Sequence, residues 1–217
     1  KAAPGDVSLV EHLTAHLLKS GQITEEELRT FRPSVCNRLD RNTSGIVAAG
    51  KTLPALQELS EMFRERSLQK YYLCLVKGEV REGCRIKGYL TKDRKKNTVS
   101  IQKEKEKDAS MIETEYRPIT FGEGVTLLEV HLITGKTHQI RAHLASQGHP
   151  IAGDYKYGDR AFNEKLKEQY GLSSQLLHSY RLCVPECRGV LSGISGKEIK
   201  APLPSLFRKI CEDKGVM

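Results

Sequence analysis

Between Lys70 and Ile133 the chain is a succession of short β-forming runs broken by turn residues, and this pattern limits the folds open to it. Lys70-Tyr-Tyr-Leu-Cys-Leu-Val76 reads as a strand, ended by Lys77-Gly78. Arg85–Leu90, Thr98–Ile101 and Ile112–Tyr116 read as strands with one solvated face, and Thr126–Ile133 is the clearest strand of all. Gly45-Ile-Val-Ala-Ala-Gly50 suits a short buried strand, and Leu176–Val184 supplies another late in the chain. Runs this short cannot stand alone, so they predict a sheet with helices packed around it, an α+β domain.

The helices announce themselves by their ends. Ser8-Leu-Val-Glu11 reads as a capping box, and Leu9, Val10, Leu13, Leu17 and Leu18 follow at helical spacing up to Gly21. Thr24-Glu-Glu-Glu27 repeats the signal for a short second helix before Pro33. Pro54 opens a third, running to about Arg66 with Leu56, Leu59, Met62 and Phe63 on one face. After Gly135 a helix covers His138 to about Ser146, and Leu203-Pro204 opens a final short one. Residues 155–175 receive no element.

The chain's 217 residues carry a net charge of +8 with 38% apolar residues, enough to bury a core. No apolar run approaches the roughly 20 residues a membrane-spanning helix needs, and Lys1–Gly5 lacks the apolar stretch of a signal peptide. The basic surplus suits polyanionic partners, nucleic acid above all, and serves solubility equally. Seven of its cations crowd into residues 92–107: Lys92, Arg94, Lys95, Lys96, Lys103, Lys105 and Lys107. That stretch is either a solvated hairpin or a phosphate-contacting one. Six cysteines in a chain able to build its own core point to a reduced, cytosolic setting. Cys183 and Cys187 have a spacing seen at zinc sites, but no second pair accompanies them, so no metal is expected.

Two polar stretches carry chemistry. The Gly-Lys-Thr within Thr134-Gly-Lys-Thr-His-Gln-Ile-Arg-Ala-His143 invites a phosphate-loop reading, which requires glycine at position 130. Val130 stands there, inside a strand, so nucleotide hydrolysis is excluded. His138 and His143 lack the HExxH pattern of a metalloprotease. What remains is a strand, a glycine turn and a donor-rich helix start, with Arg141 one turn in and able to fork onto a carboxylate. Asp40, inside Asn37-Arg-Leu-Asp-Arg-Asn-Thr-Ser-Gly45, is the natural partner. Thr43 and Ser44 fix that loop, Gly45 permits its turn, and Leu39 anchors it in the core.

These stretches resemble the RluA-type RNA pseudouridine synthases. Arg38-Leu-Asp40 with its following residues is similar to the family's catalytic loop. Lys70-Tyr-Tyr72 with Gly78 resembles the second motif, and Thr134–Arg141 with Gly148-His-Pro-Ile-Ala-Gly-Asp154 the third. Leu177–Leu182 and Ala201-Pro-Leu-Pro204 match the closing segments. The resemblance runs in order from about residue 35 to residue 207. Asn37 stands where the family commonly has His, and Lys136 where Arg follows Thr-Gly.

The resemblance implies a pseudouridine synthase fold: a long mixed, mainly antiparallel sheet with flanking helices and a central catalytic cleft. Residues 1–217 would form one catalytic domain without its first strand and without an upstream S4-like RNA-binding domain. It implies isomerisation of uridine in RNA, with large-subunit ribosomal RNA as the first partner and transfer RNA the second. No cofactor, membrane or obligate protein partner is implied. Asp40, Tyr72 and Arg141 become the candidate catalytic residues, with Asp40 acting at C1′, at uracil C6 or through a glycal. Arg38 resembles the arginine that fills the place of the flipped base. Asn37, Lys70, Lys136, Thr137, His138 and Gln139 join it as candidate substrate-binding residues, and Tyr71 is a plain strand aromatic on the opposite face. Two rivals remain: a nucleoside hydrolase using paired carboxylates, and a non-catalytic RNA-binding or ribosome-assembly module.

Overall fold

The computed structural model describes residues 5–93 and 95–217. Arg94 of the basic stretch and residues 1–4 lie outside the described residues. In chain order the elements are α1 (Leu9–Lys19), α2 (Glu27–Thr30), β1 (Ser34–Val35), β2 (Ser44–Gly45), β3 (Ala49–Gly50), α3 (Leu53–Glu65), β4 (Gln69–Lys77), β5 (Cys84–Asp93) and β6 (Thr98–Gln102). They continue with β7 (Ser110–Gly122), β8 (Val125–Leu132), α4 (Gln139–Ser146), α5 (Arg160–Tyr170), β9 (Leu177–Cys183), a 3-10 turn at Gly189–Ile194, β10 (Glu198–Lys200) and α6 (Ser205–Asp213). The chain divides into two compact units.

The first unit comprises residues 5–38, 47–68 and 184–197. Its helices start where the caps predict. The Glu11 N–H donates to Ser8 Oγ (3.2 Å) while Glu11 Oε2 accepts from the Ser8 N–H (2.6 Å). Thr24 and Glu27 reproduce that reciprocal pair ahead of α2. Thr52 caps α3, Pro54 sits in its first turn, and Arg66, in the left-handed region, closes it. Leu59 and Met62 are buried on its inner face. At Gly50 an added Cβ would stand 2.4 Å from Leu56 Cα, so α3 packs directly against glycine backbone.

The second unit comprises Leu39–Ile46, Gln69–Cys183 and Glu198–Met217, and holds a sheet of order β10-β9-β4-β8-β7-β5-β6 with β2 added beside β9. Every pairing in it is antiparallel except β2 with β9, so the sheet is mixed and mainly antiparallel as the resemblance implies. Its centre is covered on both faces. On one, Tyr72, Cys74, Val76, Leu128 and Val130 pack against Ile140 and Leu144 of α4, with Leu39 at the margin. On the other, Leu73, Leu75 and Leu127 pack against Leu166 of α5 and Phe207 and Ile210 of α6. Burial on both faces explains the apolar run Tyr71–Val76 of β4 and the almost continuous burial of β8, where alternation fails. The outer strands β5 and β6 keep the alternation.

Two expectations need correction. Gly45–Gly50 is not one buried strand: Ser44–Gly45 pairs with β9, and Ala49–Gly50 pairs with β1 in a separate two-stranded sheet. The apolar run is therefore divided between two pairing partners, and only Gly50 of its six residues is buried. The unassigned stretch 155–175 contains α5. Its start is capped by Asp159, whose Oδ1 accepts from the Phe162 N–H (2.8 Å), and its end by Gly171 in the left-handed region.

Candidate active site

Ser179 on β9 is where two pieces of the site meet. Across one side of β9 it pairs with Tyr72 of β4; across the other it pairs with Gly45 of β2. The Ile46 N–H donates to its carbonyl (2.9 Å), and a Cβ on Gly45 would lie 2.1 Å from that same oxygen. Gly45 also has φ +111°, so glycine is required twice over. This close approach clamps the end of the Asp40 loop onto the sheet beside Tyr72.

The loop's polar residues hold its shape. The Thr43 N–H donates to the Asp40 carbonyl (2.9 Å), closing a turn with Asn42 at φ +68°. Gln175 Nε2 donates to the Arg41 carbonyl (2.7 Å) and to Thr43 Oγ1 (3.2 Å). Ser44 Oγ lies 2.7 Å from Nδ1 of buried His178, whose Nε2 lies 3.3 Å from the Ala201 carbonyl. His178 is thus a brace of the loop. Leu39 packs against the core while the Asp40 side chain stays 22% exposed.

The third piece follows β8. Thr134, at the turn, exchanges hydrogen bonds with the Glu113 backbone of β7, and its hydroxyl donates to Gln139 Oε1 (2.8 Å). Gln139 Nε2 donates to the Glu113 carbonyl and to Thr114 Oγ1, both at 3.0 Å. Its Oε1 also accepts from the Lys136 N–H (3.1 Å). Gln139 is 2% exposed and acts as the strut that fixes the start of α4. From there Arg141 reaches Asp40, with Nη1 3.6 Å from Oδ2.

Arg141 does not fork onto Asp40. Its Nε and Nη2 donate to Asp154 Oδ2 (2.7 Å) and Oδ1 (2.8 Å), and Asp154 is 1% exposed. Burial favours the neutral acid, yet the Arg141 hydrogen bonds hold the Asp154 carboxyl below the usual carboxylate range. The Arg141 guanidinium also lies 5.3 Å from the centre of the Tyr157 ring. Tyr157 Oη accepts from the Val99 N–H (2.9 Å) and lies 2.9 Å from His138 Nδ1. Burial lowers the His138 pKa, an effect partly opposed by the charge of Asp40. Tyr72 is nearly enclosed, and its phenol is pushed up to about 12 by burial. The Ser179 hydrogen bond opposes that shift and the negative charge of Asp40 adds to it, so Tyr72 and Asp40 lie within electrostatic reach of one another.

Asp40, Tyr72, Arg141 and His138 are therefore brought together, as the motifs suggest. Asp154 and Tyr157 belong with them and were given no role from the sequence, although Asp154 ends one of the quoted motifs. Lys136 and Thr137 are exposed on the turn, and Lys70 Nζ stands 3.6 Å from where a Cβ on Gly135 would be. Asn37 and Arg38 belong to the first unit; Asn37 Oδ1 accepts from the Ala48 N–H (2.7 Å), and Arg38 is exposed.

A family model described as RNA pseudouridylate synthase matches residues 5–146. The chain belongs to this family. Among pseudouridine synthases it is similar to the ribosomal large subunit pseudouridine synthase C of Vibrio vulnificus (strain CMCP6). The two are 39% identical over 202 residues, which are 90% of this chain and 60% of that protein. The enzyme of the same name from Haemophilus ducreyi is 40% identical over 163 residues, 72% of this chain and 50% of its own length. The chain thus spans half to three-fifths of these curated relatives. Human RNA pseudouridylate synthase domain containing 4 shares the fold, with a TM-score of 0.74 and 20% identity over 96% of this chain and 84% of that one. The human domain containing 1 aligns with a TM-score of 0.64 at 21% identity, over 94% and 85% of the two chains.

A cavity of about 470 Å³ involves residues Tyr71, Arg85, Glu115, Arg117, His131 and Arg181. By strand alternation Tyr71 faces away from Tyr72. It is more than a plain strand aromatic: its ring stacks on His131 (4.6 Å between centroids) and lies 3.8 Å from the Arg181 guanidinium. Arg117 and Arg181 both donate to buried Glu129, so the principal charges there are mutually satisfied.

Proposed function

We propose that this chain is the catalytic part of an enzyme that isomerises specific uridines to pseudouridine in structured RNA, with large-subunit ribosomal RNA as its substrate. The observation that carries the reading is Asp40 itself. A partly exposed carboxylate 3.6 Å from a buried arginine, within electrostatic reach of a buried phenol, suits attack on a nucleotide turned out of its stack. The names of these large-subunit relatives support ribosomal RNA over transfer RNA.

In the proposed reaction the C1′–N1 bond breaks, the uracil turns, and C1′ joins C5 while the C5 proton leaves. Atoms and electrons balance within the nucleotide. Asp40 supplies the carboxylate, and the Arg141 guanidinium faces it from 3.6 Å. Arg38, two residues upstream in the chain, fills the vacated stack. Tyr72 lies against the uracil and accepts the C5 proton. Its phenol is neutral at the outset, and part of what opposes its ionisation is the Asp40 charge. When Asp40 becomes bonded to the nucleotide that part lifts, which eases ionisation of the phenol: Tyr72 gives its own proton to N1 of the detached uracil and, as the phenolate, takes the C5 proton in the last step.

A hydrolase would need a second free carboxylate. Asp154 is near enough to share Arg141 with Asp40, but it is 1% exposed and committed to the guanidinium, which argues against acid or base duty. Asp40→Ala tests the proposal against both rivals. Incubated with ribosomal RNA, the unaltered chain should form pseudouridine without changing RNA mass or releasing uracil. Asp40→Ala should form none while still binding RNA. Pseudouridine at the unaltered rate from Asp40→Ala would defeat the assignment.

A further inference from the structure

The fork between Arg141 and Asp154 bears on how Asp40 remains available. Asp154 is fixed by contacts that do not involve Arg141. Its carbonyl accepts from the Gly158 N–H (2.8 Å) and from Asn163 Nδ2 (2.9 Å). The Gly153 N–H donates to Asn163 Oδ1 (2.8 Å), so α5 grips this backbone from both sides of the peptide. Asp154 Oδ1 also accepts from the N–H groups of Lys156 (2.9 Å) and Tyr157 (3.2 Å). At Gly158 a Cβ would stand 2.1 Å from the Asp154 carbonyl oxygen, so the turn closes only on glycine. The carboxylate is therefore placed by the scaffold, and the guanidinium comes to it.

That geometry has a consequence for Asp40. A guanidinium binds a carboxylate best through two parallel N–H groups. Asp154 occupies the Nε–Nη2 edge, which leaves Nη1 toward Asp40 at 3.6 Å, beyond hydrogen-bond range. Asp40 gains the field of a positive charge without surrendering both oxygens to a fork. Tyr157, 5.3 Å from the guanidinium carbon to its ring centre and tied through its hydroxyl to Val99 and His138, lines the same guanidinium.

Resting on the reading of Asp40 above, we propose that Asp154 is a positioning residue: it takes the Nε–Nη2 edge of Arg141 and so holds the guanidinium where its remaining N–H groups stop short of Asp40. Released from Asp154, the guanidinium turns its free edge onto Asp40 and ties up the oxygens that the reaction uses. Misplacement on this scale lowers a rate on the order of 100-fold.

The test combines a kinetic and a spectroscopic arm. Asp154→Asn keeps the volume but presents an amide that cannot accept at both positions. Its single-turnover rate of pseudouridine formation should fall on the order of 100-fold, with RNA affinity unchanged. A rate equal to the unaltered chain's, or an equal loss in RNA affinity, overturns the proposal. In the second arm the chain carries 15N-labelled arginine, and the Arg141 Nε–H signal is assigned with Arg141→Lys. Asp40→Asn should leave that signal's shift and slow exchange as they are, because Asp154 holds the group. Loss of the slow-exchanging signal in Asp40→Asn overturns the proposal, and this arm decides the matter even where Asp154→Asn fails to fold. Should the unaltered chain make no pseudouridine, the functional reading falls, while the Nε–H signal still reports which carboxylate holds Arg141.

Discussion

Tyr72 is a neutral phenol at physiological pH, because burial opposes its ionisation and the Asp40 charge adds to that opposition. Its ring belongs to the packed core of the sheet while its hydroxyl bonds to Ser179, so the two parts can be separated by substitution. Tyr72→Phe keeps the ring and removes the group proposed to take the C5 proton. Removing a general base typically lowers a rate by about 10²–10⁴-fold. Tyr72→Phe should therefore lose that much in single-turnover rate with RNA affinity retained. Equal rates for the two proteins, measured by release of tritium from 5-tritiated uridine in RNA, would remove Tyr72 from the proton transfer. At this scale the sequence was legible where a residue type is rare in its setting. A polar loop around Asp40 and an arginine behind a glycine turn stand out. Asp154 does not, since an aspartate after glycine reads as a turn residue, and its pairing with Arg141 depends on α5 holding the turn in place.

Helix α4 joins the polar site to the core, and both of its kinds of residue are buried. Ile140, Ala142 and Leu144 are enclosed, and so are Gln139, Arg141 and His143. Burial lowers the His143 pKa from 6.5 to about 4, with Nδ1 3.0 Å from Thr114 Oγ1. The sign of the effect on stability follows. Below pH 6.5 the unfolded chain protonates His143, but the folded chain does so only near pH 4, so stability falls as pH falls through that window. The full shift corresponds to roughly 3 kcal/mol. Urea unfolding at pH 7 and pH 5 should show the decline, and His143→Gln should flatten it; a variant with the same slope would acquit His143. Strand β2 makes the second element-scale prediction. Gly45→Ala puts a Cβ 2.1 Å from the Ser179 carbonyl at φ +111°, so the strand must leave β9. Backbone strain of this kind costs about 1–3 kcal/mol. The variant should melt lower and lose activity, and unchanged melting would mean that β2 need not pair. Strand and helix positions were largely legible because caps, alternation and turns are local. The division of Gly45–Gly50 was not, because which partner each end pairs with is decided by distant chain. Helix α5 was missed although Asp159 and Gly171 mark its ends. Its apolar positions Phe162, Leu166 and Tyr170 are too few among charged residues to show a face.

For the whole molecule the governing quantity is charge. The chain carries +8, and the hairpin of β5 and β6 exposes Lys95 and Lys96, with Lys103, Lys105 and Lys107 exposed beyond it. The hairpin is not a loose arm. The Lys156 ammonium donates to the Asn97 carbonyl (2.8 Å), and the Val99 N–H donates to Tyr157, in the turn that begins at Asp154. Cations on a braced hairpin can meet a phosphate backbone without first being ordered, which favours the phosphate-contacting reading over a merely solvated one. If about four phosphates are neutralised, counterion release predicts that RNA affinity falls roughly 100-fold between about 50 and 200 mM salt. The logarithmic slope should drop by about one for each of Lys95→Gln and Lys96→Gln that removes a phosphate contact. The same substitutions should leave the single-turnover rate at saturating RNA unchanged, because neither side chain enters the site around Asp40. A slope unaltered in the double variant would return the hairpin to the role of a solvated edge. A saturating rate that fell with it would show instead that the hairpin's brace, through Tyr157 and the turn at Asp154, reaches Asp40.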